Sequence, residues 1–263
     1  MENKSTQLKA EAIGRVIDTL DRLRVECPWD RKQTNTSLRS NTIEEVYELC
    51  QALMDDNIAD IRKELGDVLL HILFYAKIAE EKGQFDMADV ADSLNEKLIY
   101  RHPHVFGQTR VSDAAQVSEN WEKLKLHEKG GNRSVLAGVP QALPALIKAY
   151  RVQEKAANVG FDWPDSQGCW DKVSEELVEL REETVRGDKA TIEKELGDVM
   201  FSIVNLARKL GVNPENALEL TNRKFIARFN HIEQAAKAAG RSIDSMTLEE
   251  MDALWNEAKA EER

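Results

Sequence analysis

The chain has 263 residues, 32% of them charged, and a formal net charge of −11. This acidic excess argues against a nucleic acid or an anionic membrane as the main partner. No stretch reaches the ~18 uninterrupted apolar residues of a membrane span, and the N-terminus lacks the apolar core of a signal peptide. The three cysteines share no metal-type spacing. We therefore expect a soluble, cytoplasmic protein with reduced cysteines.

Apolar residues recur at helical spacing along the chain, and strand-type alternation is absent, so the predicted class is all-α. The predicted helices of the first half cover about 8–26, 42–54 with Thr42 as the cap, 58–81 and 87–101. Those of the second half cover about 144–158, 170–186, 190–210, 214–238 and 247–261. Pro103 and Gly107 predict a loop around 102–106.

Two acidic runs dominate the pattern. Glu44-Glu45-Val46-Tyr47-Glu48 is followed by Glu64-Leu65-Gly66-Asp67, and the same arrangement returns 131 residues later. The repeated acids are Glu44/Glu175, Glu45/Glu176, Glu48/Glu179, Glu64/Glu195 and Asp67/Asp198. A repeat of this length predicts two domains. We assign them to residues 1–127 and 140–263, joined by a glycine-containing linker at 128–139.

The spacing of these acids indicates a metal site in each half. Residues three apart share a helix face, so Glu45 and Glu48 project together, as do Glu64 and Asp67. If the two helices are antiparallel neighbours, four carboxylates converge, and their repulsion calls for a cation between them. Carboxylates without Cys or His favour Mg²⁺ or Mn²⁺ over Zn²⁺. The corresponding predicted ligands of the second half are Glu176, Glu179, Glu195 and Asp198.

A simpler explanation of each run is a solvated helix face. Glutamate is a good helix former, and Thr42-x-x-Glu45 also fits a capping box, in which Glu45 would bond the backbone instead of a metal. A single run would favour this explanation. The ordered repetition of all five acids favours the metal site.

Basic and aromatic residues also repeat, at other offsets. The pairs are Lys97/Lys224 and Arg101/Arg228, 127 apart, and Trp121/Trp255, 134 apart. Lys and Arg beside a metal site can hold phosphate oxygens, and Trp can stack on a nucleobase. Surface ion pairing and core packing are the alternatives.

Other chemistries find little support. His71 follows Asp67 by four residues, but Ser202 takes its place in the second half, so we predict that His71 is either a packed residue or one that supports the acids without binding the metal. Neither half contains the Glu-x-x-His of di-iron bundles. The chain also lacks G-x-S-x-G, a P-loop and C-x-x-C, which argues against nucleophilic, P-loop and redox chemistry.

Together with the acidic runs, three further segments resemble the MazG family of all-α nucleoside triphosphate pyrophosphohydrolases. They are Cys27-Pro28-Trp29-Asp30, Arg101-His102-Pro103-His104-Val105-Phe106 and Asn158-Val159-Gly160-Phe161-Asp162-Trp163. The resemblance covers nearly the whole chain apart from the first ten or so residues and the linker. It implies two tandem helical MazG-like domains that form a four-helix-type bundle in a homodimer.

The resemblance also implies a reaction: Mg²⁺-dependent hydrolysis of nucleoside triphosphates between the α- and β-phosphates, giving a monophosphate and pyrophosphate. It places activity mainly in the C-terminal domain, with its four acids as metal ligands. Lys172 and Glu175 would lie on the nucleotide side, and Glu175 is our candidate for orienting the attacking water. The implied substrate contacts are Lys224 and Arg228 for phosphate and Trp255 for the nucleotide. Asn41 replaces Lys172 in the first half, which argues against turnover there but not against metal binding.

Another class of function remains compatible with the residues. The chain could be a helical interaction or regulatory module whose acids bind metal for stability, without turnover. Such a module predicts a metal-dependent shift in melting temperature but no release of pyrophosphate. The base preference is also open, since a dUTP- or dCTP-specific hydrolase would differ only in base choice.

Overall fold

The computed structural model describes residues 5–113, 116–117, 124 and 134–261, and within these ranges its regular structure is helical, with no β-strand. The all-α prediction is confirmed. Internal packing divides the chain into two compact units, residues 1–109 and 110–263. Trp121 and residues 128–133 of the predicted linker lie outside the described residues, so the linker stays a prediction. Among the described helices, none has the length and apolarity to cross a membrane.

The first unit is built around one long central helix. Its helices are α1 (Thr6–Glu26), α2 (Asn35–Met54), α3 (Ile58–Glu80), α4 (Met87–Arg101) and α5 (Pro103–Phe106). Helix α3 packs against α1, α2 and α4. The core between α1, α2 and α3 consists of Leu20, Leu38, Leu73, Phe74 and Ile78. The predicted loop at 102–106 contains the one-turn helix α5, because Pro103 is favourable at the first position of a helix.

Helix α2 begins well before Thr42. Thr34 is its N-cap: the Thr34 hydroxyl accepts from the Ser37 amide, and the Ser37 hydroxyl accepts from the Thr34 amide. The prediction that Thr42 caps this helix is therefore wrong, and so is the capping role considered for Glu45. The Asn, Thr and Ser residues of this first turn have poor intrinsic helix propensity, which concealed it. Burial of Leu38 in the core stabilises the helix instead.

The second unit repeats the plan. Its helices are α6 (Ala145–Ala157), α7 (Gln167–Arg186), α8 (Lys189–Lys209), α9 (Pro214–Ala238) and α10 (Leu248–Glu261). Helix α8 packs against α6 and α7, and α9 packs against α6, α8 and α10. The core between α7 and α8 contains Cys169, Val173 and Leu206.

Each pair of acidic helices reverses through a left-handed residue. Gly187 has φ 80° between α7 and α8, and Asp56, at the matching place between α2 and α3, has φ 50°. Glycine adopts this conformation without steric cost, and aspartate is among the few other residues that tolerate it. The tight reversal makes α7 and α8 antiparallel neighbours, so acids in the middle of each helix face the other.

Candidate metal and nucleotide site

Three carboxylates meet between α7 and α8. One oxygen each of Glu176, Glu179 and Glu195 lies within 4.8 Å of the other two. Glu176 and Glu179 share a face of α7 because they are three residues apart. Glu176 is buried, Glu195 is half-buried and Glu179 is exposed, so the cluster has a buried end and a solvent-accessible end. This arrangement suits a site that a solute enters from one side.

Burial and like charge perturb this cluster. Burial raises the pKa of Glu195, and repulsion from Glu179 and Asp198 raises that pKa further. Lys172 lies one turn before Glu176, with its Nζ 2.8 Å from Glu175 Oε1 and 2.7 Å from Glu176 Oε1. Hydrogen bonds to these two carboxylates raise the pKa of Lys172, so its ammonium remains charged. Lys172 therefore links Glu176, the buried member of the cluster, to the exposed Glu175.

The first unit holds an equivalent cluster, and a different lysine contacts its acids. One oxygen each of Glu45, Glu48 and Glu64 lies within 4.8 Å of the others. Lys63 Nζ is 2.8 Å from Glu64, 3.9 Å from Glu48 and 3.7 Å from Asp67. An ammonium group of α3 therefore neutralises part of this cluster. In the second unit the corresponding contact to the cluster comes from Lys172 on α7.

His71 lies near the acids of the first unit, and we expected it to be packed or to support them. It is 7% exposed, and its Nδ1 lies 3.0 Å from Thr42 Oγ1, which also contacts the hydroxyl of Tyr75. This confirms His71 as a packed residue. Thr42 acts inside the helix as a hydrogen-bonding partner of α3 rather than as a cap.

Both clusters fit a hard divalent cation. Their donors are carboxylates alone, the ligand set of Mg²⁺ or Mn²⁺. Glu64 Oε2 is buried without a hydrogen-bond partner among the described residues, and a bound cation would satisfy it. The fourth acid of each half is not one of the three whose oxygens meet within 4.8 Å: Asp67 contacts Lys63, and Asp198 lines a neighbouring cavity. Their role as ligands stays a prediction.

A cavity of about 690 Å³ lies beside the C-terminal cluster. Lys172, Glu176 and Asp198 are among its charged lining residues, and much of the remainder is apolar. Among the apolar lining residues are Phe161 and Trp163, from the segment between α6 and α7. This volume lies within the range of small-molecule binding sites.

One wall of the cavity depends on a glycine. The indole of Trp163 lies so close to Gly168, in the first turn of α7, that a Cβ there would overlap the ring. Lys209 Nζ donates to the carbonyl of Trp163 and lies 3.0 Å from Asp162 Oδ2. Arg208 also contacts Asp162. These contacts hold the segment before α7 against the end of α8.

The predicted substrate residues of α9 and α10 are partly brought together. The guanidinium carbon of Arg228 lies 5.2 Å from the ring centroid of Trp255, and the ring of Phe225 lies 5.0 Å from the same ring. Lys224, Arg228 and Trp255 are not among the residues that line the cavity. Their predicted roles in nucleotide binding stay predictions.

Two parts of the site escaped the sequence analysis. Lys63 and its repeat Lys194 are both lysines, but spacing along one helix does not show that Lys63 contacts Glu48 on the neighbouring helix. The cavity was not expected either. Comparison of the two repeats could have indicated the cavity, because Cys169 and Asn205, which line it, replace the larger Leu38 and Phe74 of the first half.

The fold and the two clusters define an all-α protein built from two copies of an acid-bearing helix pair. The chain belongs to the MazG nucleotide pyrophosphohydrolase family, whose domain model matches residues 33–106 and 166–233. The two matches contain the acidic helix pairs α2–α3 and α7–α8.

Two of the similar proteins, from Thermotoga maritima and Escherichia coli, match over almost their full length. A protein of Thermotoga maritima named nucleoside triphosphate pyrophosphohydrolase/pyrophosphatase MazG is 44% identical over 247 residues, which cover 93% of this chain and 94% of that protein. A nucleoside triphosphate pyrophosphohydrolase of Escherichia coli is 39% identical over 257 residues, or 95% and 98% of the two chains. An uncharacterised Bacillus subtilis protein, YabN, is 47% identical over 239 residues, but these are only 49% of its length.

Proposed function

We propose that the protein hydrolyses nucleoside triphosphates, ribo- or deoxyribo-, between the α- and β-phosphates in the presence of Mg²⁺ or Mn²⁺. The observation that carries this proposal is the C-terminal cluster, in which oxygens of Glu176, Glu179 and Glu195 lie within 4.8 Å of one another. A polyphosphate approaches such a cluster only if cations lie between the two sets of negative charges. The names of the relatives from T. maritima and E. coli support the reaction class.

The chain's own residues divide the work as follows. The three glutamates, with Asp198 as the proposed fourth ligand, would hold the divalent ions. When bound, such ions neutralise the phosphates and make a coordinated water more acidic. Glu175, held 2.8 Å from Lys172 and about half exposed, is proposed to orient the attacking water and to accept its proton.

Binding of the phosphate tail is proposed to involve α9 and α10. Arg228 offers a planar fork of donors that suits two phosphate oxygens, and Lys224 offers a point charge. Trp255 lies under the guanidinium of Arg228, which orients that side chain. We propose Trp255 as a contact to the nucleotide from the same side.

For the N-terminal half a different function is favoured: divalent-ion binding without turnover. Lys63 lies within 4.0 Å of three acids there, whereas Asn41 stands where the second half has Lys172. A bound ion would have to displace the ammonium of Lys63 from the acids. This half would then contribute metal-dependent stability, as expected of a regulatory module.

We also propose that a second copy of the chain covers an apolar face in solution. Leu196, Met200 and Ile203 form a stripe along α8 and are 47%, 52% and 47% exposed. Contiguous exposed apolar residues of this kind mark interfaces. Gly197, beside the stripe, has no described atom within 4 Å of an added Cβ. Because glycine inside a helix costs about 1 kcal/mol relative to alanine, a close approach from another chain would explain it.

The test of the reaction uses the purified full chain with each nucleoside triphosphate and Mg²⁺ in ¹⁸O-labelled water. The proposal predicts equimolar monophosphate and pyrophosphate, with ¹⁸O in the monophosphate because water attacks the α-phosphorus. Release of diphosphate and inorganic phosphate, or ¹⁸O in pyrophosphate, would contradict it. No turnover, with a metal-dependent rise in melting temperature, would support the regulatory module for both halves.

A further inference from the structure

The two repeats differ at positions that bound the C-terminal cavity. The offset of 131 residues places Cys169 opposite Leu38, and Asn205 opposite Phe74. Leu38 and Phe74 are 2% and 3% exposed and belong to the core of the first unit. In the second unit the smaller side chains of Cys169 and Asn205 line the cavity instead. The C-terminal half therefore keeps space where the N-terminal half places two large core side chains.

A buried acceptor lies in the wall of this cavity. Gln153 on α6 is 7% exposed, and its Nε2 donates to the carbonyl of Phe201 with an N–O distance of 2.8 Å. That bond fixes the orientation of the amide, because a carbonyl oxygen accepts from the NH₂ group and not from Oε1. Gln153 Oε1 is then buried with no partner among the described residues. A buried acceptor without a donor calls for an explanation, and a ligand N–H supplies one.

Asn205 presents a complementary group. Its Oδ1 accepts from Arg208 Nε at 3.0 Å and from Arg208 Nη2 at 2.8 Å, which orients this amide as well. Its Nδ2 points to Cys169 Sγ at 3.8 Å, and sulfur is a weak acceptor. The residues that line the cavity thus include one unpartnered acceptor and one weakly used donor, a combination that matches the donor and acceptor on the pairing edge of a nucleobase.

The remaining walls suit a flat aromatic ring with an anionic group at one end. Phe161 and Trp163 are lining residues that can stack on a ring. Lys172, Glu176 and Asp198, also in the lining, join the cavity to the metal-binding carboxylates. A ligand that reaches both parts would carry an uncharged heterocycle and a phosphate tail.

We infer that this cavity binds the base of the nucleoside triphosphate, and that Gln153 Oε1 accepts a hydrogen bond from an N–H of that base. Gln153 is then a specificity-determining residue, and Cys169 and Asn205 provide the room. The inference rests on the proposed function for the identity of the ligand. It also gives a steric reason for the N-terminal half to lack turnover, since Leu38 and Phe74 occupy the matching positions.

Three variants of the full chain test the inference. Cys169→Leu/Asn205→Phe brings the residues of the N-terminal half into the cavity, and Gln153→Leu removes the acceptor at similar volume. Gln167→Leu is the control, because Gln167 is exposed and bonds Asp171 outside the cavity. The probes are AMP, CMP, GMP and UMP with Mg²⁺, and inorganic pyrophosphate with Mg²⁺ as a base-free ligand. Binding is measured by calorimetry, and turnover as separate kcat and KM values.

The filled variant is expected to lose at least tenfold in affinity for the monophosphates and to keep its pyrophosphate affinity within twofold. Gln153→Leu is expected to lose about tenfold for the preferred monophosphate, with KM rising more than kcat falls and the four bases becoming more alike. Unchanged affinity and unchanged base preference in Gln153→Leu would overturn the inference. So would a wild-type protein that binds no monophosphate.

Folding is checked independently, because two larger side chains can overpack a core. If the filled variant does not fold, Gln153→Leu and Phe161→Ala decide the question, since Phe161 is 83% exposed and its loss leaves the core intact. Phe161→Ala is expected to weaken monophosphate binding and not pyrophosphate binding. Absence of pyrophosphate release by the wild type would refute the proposed function, whereas the binding experiment needs no turnover and judges the cavity separately.

Discussion

Replacing Glu176 by glutamine removes one negative charge from the C-terminal cluster and keeps the shape of the side chain. Glu176 is 6% exposed, and its Oε1 lies 2.7 Å from Lys172 Nζ. The substitution therefore tests whether the charge of a buried carboxylate, rather than its packing, is required for hydrolysis. The amide oxygen of the variant can still accept a hydrogen bond from Lys172.

Two effects on folding oppose each other. Carboxylates with oxygens 4.8 Å apart repel by about 1 kcal/mol in bulk water and by about 3 to 4 kcal/mol at an effective dielectric constant of 20. Glu176→Gln relieves that repulsion but weakens the ion pair with Lys172. We therefore expect the free energy of unfolding without divalent ions to stay within about 1 kcal/mol of wild type. For a bound cation, in contrast, the variant removes one buried negative charge of the site. We expect this loss to weaken cation binding by about 3 to 5 kcal/mol, or at least 10²-fold.

The assay measures pyrophosphate release and the affinity of the C-terminal site for Mn²⁺. Glu176→Gln is expected to lower kcat/KM at a fixed Mg²⁺ concentration by about 10²- to 10³-fold with little change in melting temperature. The matched control is Glu182→Gln, on the same helix with a side chain 63% exposed, which is expected to behave like wild type. The reasoning is refuted if Glu176→Gln retains hydrolysis within threefold of wild type, or if Glu182→Gln loses as much.

Arg24→Met is expected to lower the free energy of unfolding of the N-terminal unit, measured in urea, by about 2 to 3 kcal/mol, because Arg24 is 8% exposed and donates to a carboxylate and two carbonyls. The control Arg22→Met changes an exposed side chain and should cost under about 0.5 kcal/mol. Equal effects of the two changes would contradict this. Hydrogen bonds from Arg241 and a backbone amide lower the pKa of Glu250 to about 2 from its ordinary value of 4.5. The ionised Glu250 therefore stabilises the fold fully at pH values above 4.5, and this contribution disappears as the pH falls towards 2. Glu250→Gln should therefore flatten the fall in melting temperature over that pH range, and an unchanged slope would argue against the linkage. Met200→Glu is expected to convert a dimer into a monomer in light scattering, and an unaltered mass would argue against the stripe on α8 as the interface.

Helices with clear apolar periodicity and recognisable ends could be predicted closely from the sequence. Helix α4 covers Met87–Arg101 and α9 covers Pro214–Ala238, as predicted. The start of α2 could not be predicted, because its first turns are polar and the helix there depends on the burial of Leu38 among residues of α1 and α3. Local propensity alone carries no information about that burial.

The cations around the acids show the same limit. Lys63 has a sequence counterpart in Lys194 on α8, yet the lysine found against Glu176 is Lys172, one turn earlier on the same helix α7. Side chains with four rotatable bonds take the position that neighbouring charges favour. The contact between Lys63 and Glu48 crosses from α3 to α2, so it depends on the packing of both helices, which repeat spacing does not specify.

The sequence by itself determined the all-α class, the duplication and the acids that share a helix face. These follow from periodicity within single helices and from comparison of the chain with itself. Only the tertiary structure decided that three acids of each half meet within 4.8 Å and that a cavity with an unpartnered Gln153 oxygen lies beside the second cluster. The physical reason is that the space between helices depends on the volumes of side chains distant in sequence, so Cys169 and Asn205 become meaningful only where α6, α7 and α8 pack together.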